Sequence, residues 1–113
     1  MLVGVPREIK VREYRVGLTP TSVREVTAHG HGVLVETGAG AGIGMDDAAY
    51  ERSGATSAQG PAEIFAKADM IVKVKEPQAA ERRMLRAGQV LFTYLHLAPD
   101  PEQTRELLAS GAT

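Results

Sequence analysis

Four short apolar runs, Leu2–Val5, Val33–Val35, Met70–Val74 and Val90–Leu95, constrain what this chain can fold into more than any other feature. Each is brief, rich in β-branched residues and bounded by polar or turn-forming residues. A half-exposed strand would alternate apolar with polar residues. Continuous apolar runs of this length fit strands buried on both faces, as in a parallel sheet. The stretches between them carry helix signals. Thr19 can cap a helix that has Pro20 at its first position, runs through Val23 and Val26, and stops at Gly30. Asp46 can cap a short helix through Ala49 and Tyr50 that ends near Gly54. Further helical turns are expected at Pro61–Ala66 and at Glu81–Leu85. Asp100-Pro101-Glu102 opens the clearest helix: Thr104, Leu107 and Leu108 form its apolar stripe and Gly111 ends it.

Strands alternating with helices specify an α/β domain. The expected class is a Rossmann-like (flavodoxin-like), mostly parallel sheet with flanking helices. The alternation calls for another strand at Ala112-Thr113, so the sheet is expected to be incomplete within these residues. A length of 113 residues supports one ordinary domain or part of a larger one.

Composition narrows the function classes. A net charge of −1 offers no electrostatic attraction for nucleic acid or an anionic membrane. Aromatic residues make up 4% and tryptophan is absent, which disfavours a stacking surface for single strands. The chain has no cysteine, so disulfides and thiolate metal sites are excluded. No apolar run approaches the ~20 residues that span a bilayer. Met1–Pro6 lacks the basic and apolar regions of a signal peptide, so the expected compartment is the cytoplasm.

The run Gly38-Ala39-Gly40-Ala41-Gly42-Ile43-Gly44 follows an expected strand and invites a dinucleotide-binding reading. That motif needs G-x-G-x-x-G at a strand-to-helix turn. Counted from Gly38, Gly40 or Gly42, the third glycine falls on Ile43, Met45 or Asp47, so no register fits. Asp46 and Asp47 would also place negative charge where a phosphate should sit. A structural glycine loop is the better reading.

Ligands of parallel α/β sheets lie beyond the carboxyl ends of the strands. Arg7, Glu8, Lys10, Arg12, Glu13 and Arg15 follow the first run, Lys75 and Glu76 the third, and His96 the fourth. Arg15 reads either as a planar guanidinium for a substrate carboxylate or as a surface arginine in a charged loop. Lys75 reads either as a point charge beside a substrate oxygen or as a solvated strand end. Lys73, two residues earlier, would be costly inside a buried strand unless paired. His96 reads either as a general acid/base or as a satisfied core histidine. His29 and His31 read as helix-terminal residues, and Asp46, Asp47 and Glu51 as a solvated helix face. No metal-ligand set, P-loop or Ser-His-Asp arrangement is legible.

Taken in order, Val3–Lys10, Glu13–Pro20, Val35–Gly40, Val72–Pro77 and Leu91–Ala98 resemble the opening of alanine dehydrogenases and of the related proton-translocating transhydrogenase α subunits. The Lys75 and His96 segments resemble the dehydrogenases; the transhydrogenase relatives lack that pair. The resemblance covers essentially the whole chain. It implies that residues 1–113 are the N-terminal part of a substrate-binding domain, with the NAD-binding domain outside this chain. It implies reversible NAD-dependent conversion of L-alanine to pyruvate and ammonium. Arg15 would then bind the substrate carboxylate, Lys75 its carboxylate or developing carbonyl oxygen, and His96 would be the general acid/base. Glu8 and Tyr94 would line or support the pocket. The resemblance also implies a homo-oligomer, often a hexamer. The alternatives are a transhydrogenase-type domain and a non-enzymatic remnant that holds a small amino or keto acid.

Overall fold

The computed structural model describes residues 1–113 and contains one parallel five-stranded sheet. The strands are β1 (Leu2–Val5), β2 (Gly32–Glu36), β3 (Thr56–Ala58), β4 (Met70–Val72) and β5 (Val90–Phe92). Between and after them lie α1 (Pro20–Ala28), α2 (Asp47–Arg52), α3 (Pro61–Lys67), α4 (Ala79–Arg82) and α5 (Pro101–Ser110). The spatial order is β3-β2-β1-β4-β5. The chain builds outward from β1 to β3, then crosses back to lay β4 on the other side of β1. This is the Rossmann order; the flavodoxin variant would place the second strand at the edge and the third beside β1.

Alternation across the pleat gives the inner strands two buried faces, whereas the outer strands β3 and β5 are only partly covered and Phe92 of β5 is exposed. Val3 and Val5 of β1, Val33 and Val35 of β2, and Val72 of β4 pack with Val23 of α1 and Tyr50 of α2. Leu34 and Ile71 point the other way and pack with Ile64 and Phe65 of α3 and with Leu85. The continuous apolar runs therefore exist because helices cover both sheet faces.

The expected caps form. Thr19 accepts from the Ser22 amide at 3.3 Å, Asp46 from Ala49 at 2.8 Å, and Asp100 from Gln103 at 3.0 Å. Three details differ from the sequence reading. The edge strand β3 went unread, because Thr-Ser-Ala buries only Ala58 deeply and carries little apolar signal. Helix α4 starts before Glu81 because Gln78 and Glu81 form a reciprocal capping box. The strands β4 and β5 end at Val72 and Phe92, ahead of the apolar runs that contain them. Thr113 lies beside β5: its amide donates to Gln89 O at 2.9 Å and its carbonyl accepts from Leu91 at 2.8 Å, the bond pattern of a parallel neighbour. No helix is long and apolar enough to cross a membrane.

Candidate active site

The reversal of winding direction falls between β1 and β4, and a crevice at such a point is where open α/β sheets bind ligands. The loops leaving the carboxyl ends of β1, β4 and β5 meet there. A cleft of about 360 Å³ lies among Arg15–Gly17, Val72–Val74, Phe92 and Tyr94. A second, of about 240 Å³, lies between Arg7–Arg15 and the glycine loop. Arg15 borders both. A larger concavity of about 580 Å³ sits beside Asp46 and Asp47. It is wide open and presents carboxylates, so it suits an anionic substrate poorly.

Two glycines hold the Arg15 loop in place by close approach. A Cβ on Gly17 would lie 2.4 Å from Val72 O, and one on Gly42 would lie 2.2 Å from Tyr14 O. The segment is thus sandwiched between the end of β4 and the glycine loop. The glycine loop is pinned in turn by Asp47, which accepts from the Gly38 amide at 2.9 Å and from the Thr37 hydroxyl. These contacts hold its carboxyl below its ordinary value, the Thr37 hydroxyl contributing most. The sequence reading of Asp47 as part of a solvated face is therefore corrected: it anchors a loop. Glu51 is also engaged, accepting from the Ser57 hydroxyl at 2.9 Å. The loop glycines serve backbone packing, and a carboxylate occupies the amide that a pyrophosphate would seek. The glycine loop does not fit a dinucleotide pyrophosphate.

Arg15 is exposed, with 63% of its side chain accessible, yet its fork is engaged. Its Nε and Nη2 donate to Glu13 Oε2 and Oε1 at 2.9 and 2.7 Å, and its amide donates to Oε2 at 2.9 Å. The guanidinium and then the amide of Arg15, with a smaller pull from Lys75, hold the Glu13 carboxyl at about 2 against some desolvation. The same hydrogen bonds push the Arg15 guanidinium further up. Glu13 thus occupies the geometry that a substrate carboxylate would adopt on this edge of the arginine. Sequence reasoning gave Glu13 no role, although the i, i+2 spacing in a tight loop was its signal.

Lys75 is half-buried, and its backbone is held from several sides. The Glu8 Oε1 accepts from the Lys75 amide at 3.1 Å, and Oε2 accepts from the Val74 amide at 3.0 Å. The Lys75 carbonyl accepts from Lys73 Nζ at 2.8 Å and from the Thr93 hydroxyl at 2.9 Å. Lys73 itself is buried against Glu8 and Glu81, its Nζ lying 3.1 Å from Glu8 Oε1 and 3.5 Å from Glu81 Oε1. Burial, opposed by Lys73, raises the Glu81 carboxyl, and its Oε2 has no partner. Nearby, Lys10 pairs with Glu76; burial works against that carboxylate, but Lys10 prevails and its value falls.

His96 stands apart. It is exposed, adopts φ 49°, makes no hydrogen bond with the chain, and lines neither cleft. The alternative of a satisfied core histidine is overturned. The left-handed backbone swings the residue out of the strand direction, a conformation found disproportionately at functional positions. Tyr94 borders the larger cleft but is 79% exposed, and Glu8 supports the site from beneath it. Arg15 and Lys75 thus share one sheet edge around Glu13, while His96 extends from the neighbouring strand without touching them.

The comparisons agree with this architecture. Residues 4–113 match the family model described as alanine dehydrogenase/PNT, N-terminal domain. The chain is similar to the alanine dehydrogenase of Halomonas elongata, with 51% identity over 113 residues, and to that of Bacillus subtilis, with 50%. In both cases the match covers 100% of this chain and 30% of the relative, so the chain spans under a third of their length. A solved L-alanine dehydrogenase superposes on the whole chain with a TM-score of 0.97 at 46% identity, covering 31% of that structure. A solved transhydrogenase from Sinorhizobium meliloti does so with a TM-score of 0.93 at 31% identity, covering 33%. The chain belongs to the alanine dehydrogenase/PNT family, as its N-terminal domain.

Proposed function

We propose that this chain is the substrate-binding part of an NAD-dependent alanine dehydrogenase, which converts L-alanine reversibly to pyruvate and ammonium. The observation that carries this reading is the pair of cations, Arg15 and Lys75, at the winding reversal between β1 and β4. A small carboxylate substrate is the ligand such a pair selects. Arg15 binds its carboxylate through the planar fork, either displacing Glu13 or using the free Nη1 edge. Lys75 neutralises the carboxylate or the oxygen that becomes the pyruvate carbonyl. His96 moves the proton as water adds to the imine and as ammonia leaves. NAD would supply the hydride acceptor and would be held by a domain outside these residues. The resemblance further supports a cytoplasmic homo-oligomer, often a hexamer.

The test is NADH formation from L-alanine and NAD by the full-length protein. Robust formation, lost in His96→Ala while alanine binding partly survives, is the expected result. An equal loss of binding and turnover in that variant would contradict the acid/base role. The transhydrogenase reading has one observation behind it, the close superposition on a solved transhydrogenase. Hydride exchange between two nucleotides, with none from alanine, would favour it. Alanine binding by a protein with no turnover would favour the non-enzymatic remnant.

A further inference from the structure

Resting on the reading of Lys75 as a substrate-binding residue, we propose that the buried Lys73 and the hydroxyl of Thr93 are positioning residues: they fix the backbone of Lys75, and with it the direction of its ammonium. Lys73 has 1% of its side chain accessible, so it acts on substrate only through another residue. An ammonium has three donors. The three acceptors around Lys73, Glu8 Oε1, Lys75 O and Glu81 Oε1, match that number. Both peptide groups flanking Lys75 are consequently held. Its amide is taken by Glu8, the counter-ion of Lys73, and its carbonyl by Lys73 and Thr93.

Stability alone does not account for this arrangement. A buried ion pair is commonly matched or bettered by apolar residues of the same volume. A methionine at position 73 would fill the space, but it cannot donate to the Lys75 carbonyl. Thr93 extends the same constraint across the sheet. Its hydroxyl reaches Lys75 O from the loop that continues to His96, and the Tyr94 amide reaches Val74 O at 3.3 Å. The site thus keeps a buried cation on the backbone carbonyl of the residue that needs to be aimed, two positions further along the chain.

The experiment uses the full-length protein and compares the KM for alanine in a cycle. The Glu8→Gln/Lys73→Met double substitution removes the two opposite charges of the buried pair together. The expected result is a cooperative melt at a somewhat lowered Tm, an unchanged KM for NAD, and a KM for alanine raised by about tenfold or more. In a Lys75→Met background the same double substitution should add no further rise. A wild-type alanine KM in the folded double variant, or an equal rise in the Lys75→Met background, overturns the proposal. Should the double variant not fold, Thr93→Val removes one donor without touching a charge. It should raise the alanine KM severalfold, and Thr93→Ser should restore it; no rise overturns the proposal. Lys75→Met with an unaltered alanine KM would overturn the substrate role of Lys75 itself. A large Lys75→Met effect with no effect of the other variants would overturn this proposal alone.

Discussion

Two loops leave the same edge of the sheet from adjacent strands, and they are held in opposite ways. After β4, the Val74 and Lys75 amides both donate to Glu8, and the Lys75 carbonyl is doubly bonded by Lys73 and Thr93. After β5, the amides of Leu95, His96 and Leu97 have no protein acceptor, and His96 sits exposed in a left-handed conformation. The difference fits the separate duties proposed for Lys75 and His96. An anion-binding group gains from being fixed before the substrate arrives, because less freedom is lost on binding. A proton-transfer group that completes its surroundings only with substrate and cofactor present has no such need. On the roles proposed above, these residues hold the Lys75 loop firmly and leave the His96 loop open.

The comparison is broken most severely by removing its central carboxylate. Glu8→Ala leaves Lys73 buried with Glu81 as its one remaining carboxylate, 3.5 Å away, and frees two amides. A loss of about 3–5 kcal/mol is expected in denaturant unfolding. Gly17→Ala comes next. Its Cβ would meet Val72 O at 2.4 Å, so the Arg15 loop must shift off β4, with an expected loss of about 1–3 kcal/mol and weaker alanine binding by the full-length protein. His96→Ala sharpens the contrast from the other side: stability should change by no more than about 0.5 kcal/mol, since the residue is exposed and unbonded. The smallest effect concerns Glu13. Its carboxyl falls from an ordinary 4.5 to about 2 in the folded chain, so it loses its proton more readily when folded. Its ion pair with Arg15 is therefore fully present above the ordinary value and is lost only as the pH falls through about 2. Carboxyl-carbon NMR titration should find no Glu13 transition between pH 6 and 3, whereas Glu13 in Arg15→Met should titrate near its ordinary value.

The sequence made the sheet legible where burial on both faces writes continuous apolar runs, as in Leu2–Val5 and Val33–Val35, and the helices legible where Thr19, Asp46 and Asp100 cap them. It hid β3, whose edge position asks little of its residues, and it overran β4, because Val72-Lys73-Val74 continues the pattern while the chain turns to bring Lys73 onto Glu8. Arg15, Lys75 and His96 stood out as chemistry at strand ends. Their mutual arrangement did not, since strand order decides which ends are neighbours. Lys73 carried a readable signal: a lysine within an apolar run requires a buried acid, but only the fold identifies that acid as Glu8, 65 residues away.

Amide hydrogen exchange resolved by residue tests the contrast most directly. Strong protection of the Val74 and Lys75 amides, with fast exchange at Leu95, His96 and Leu97, is the predicted result. Equal protection of the two loops, or free exchange at Lys75, would contradict it.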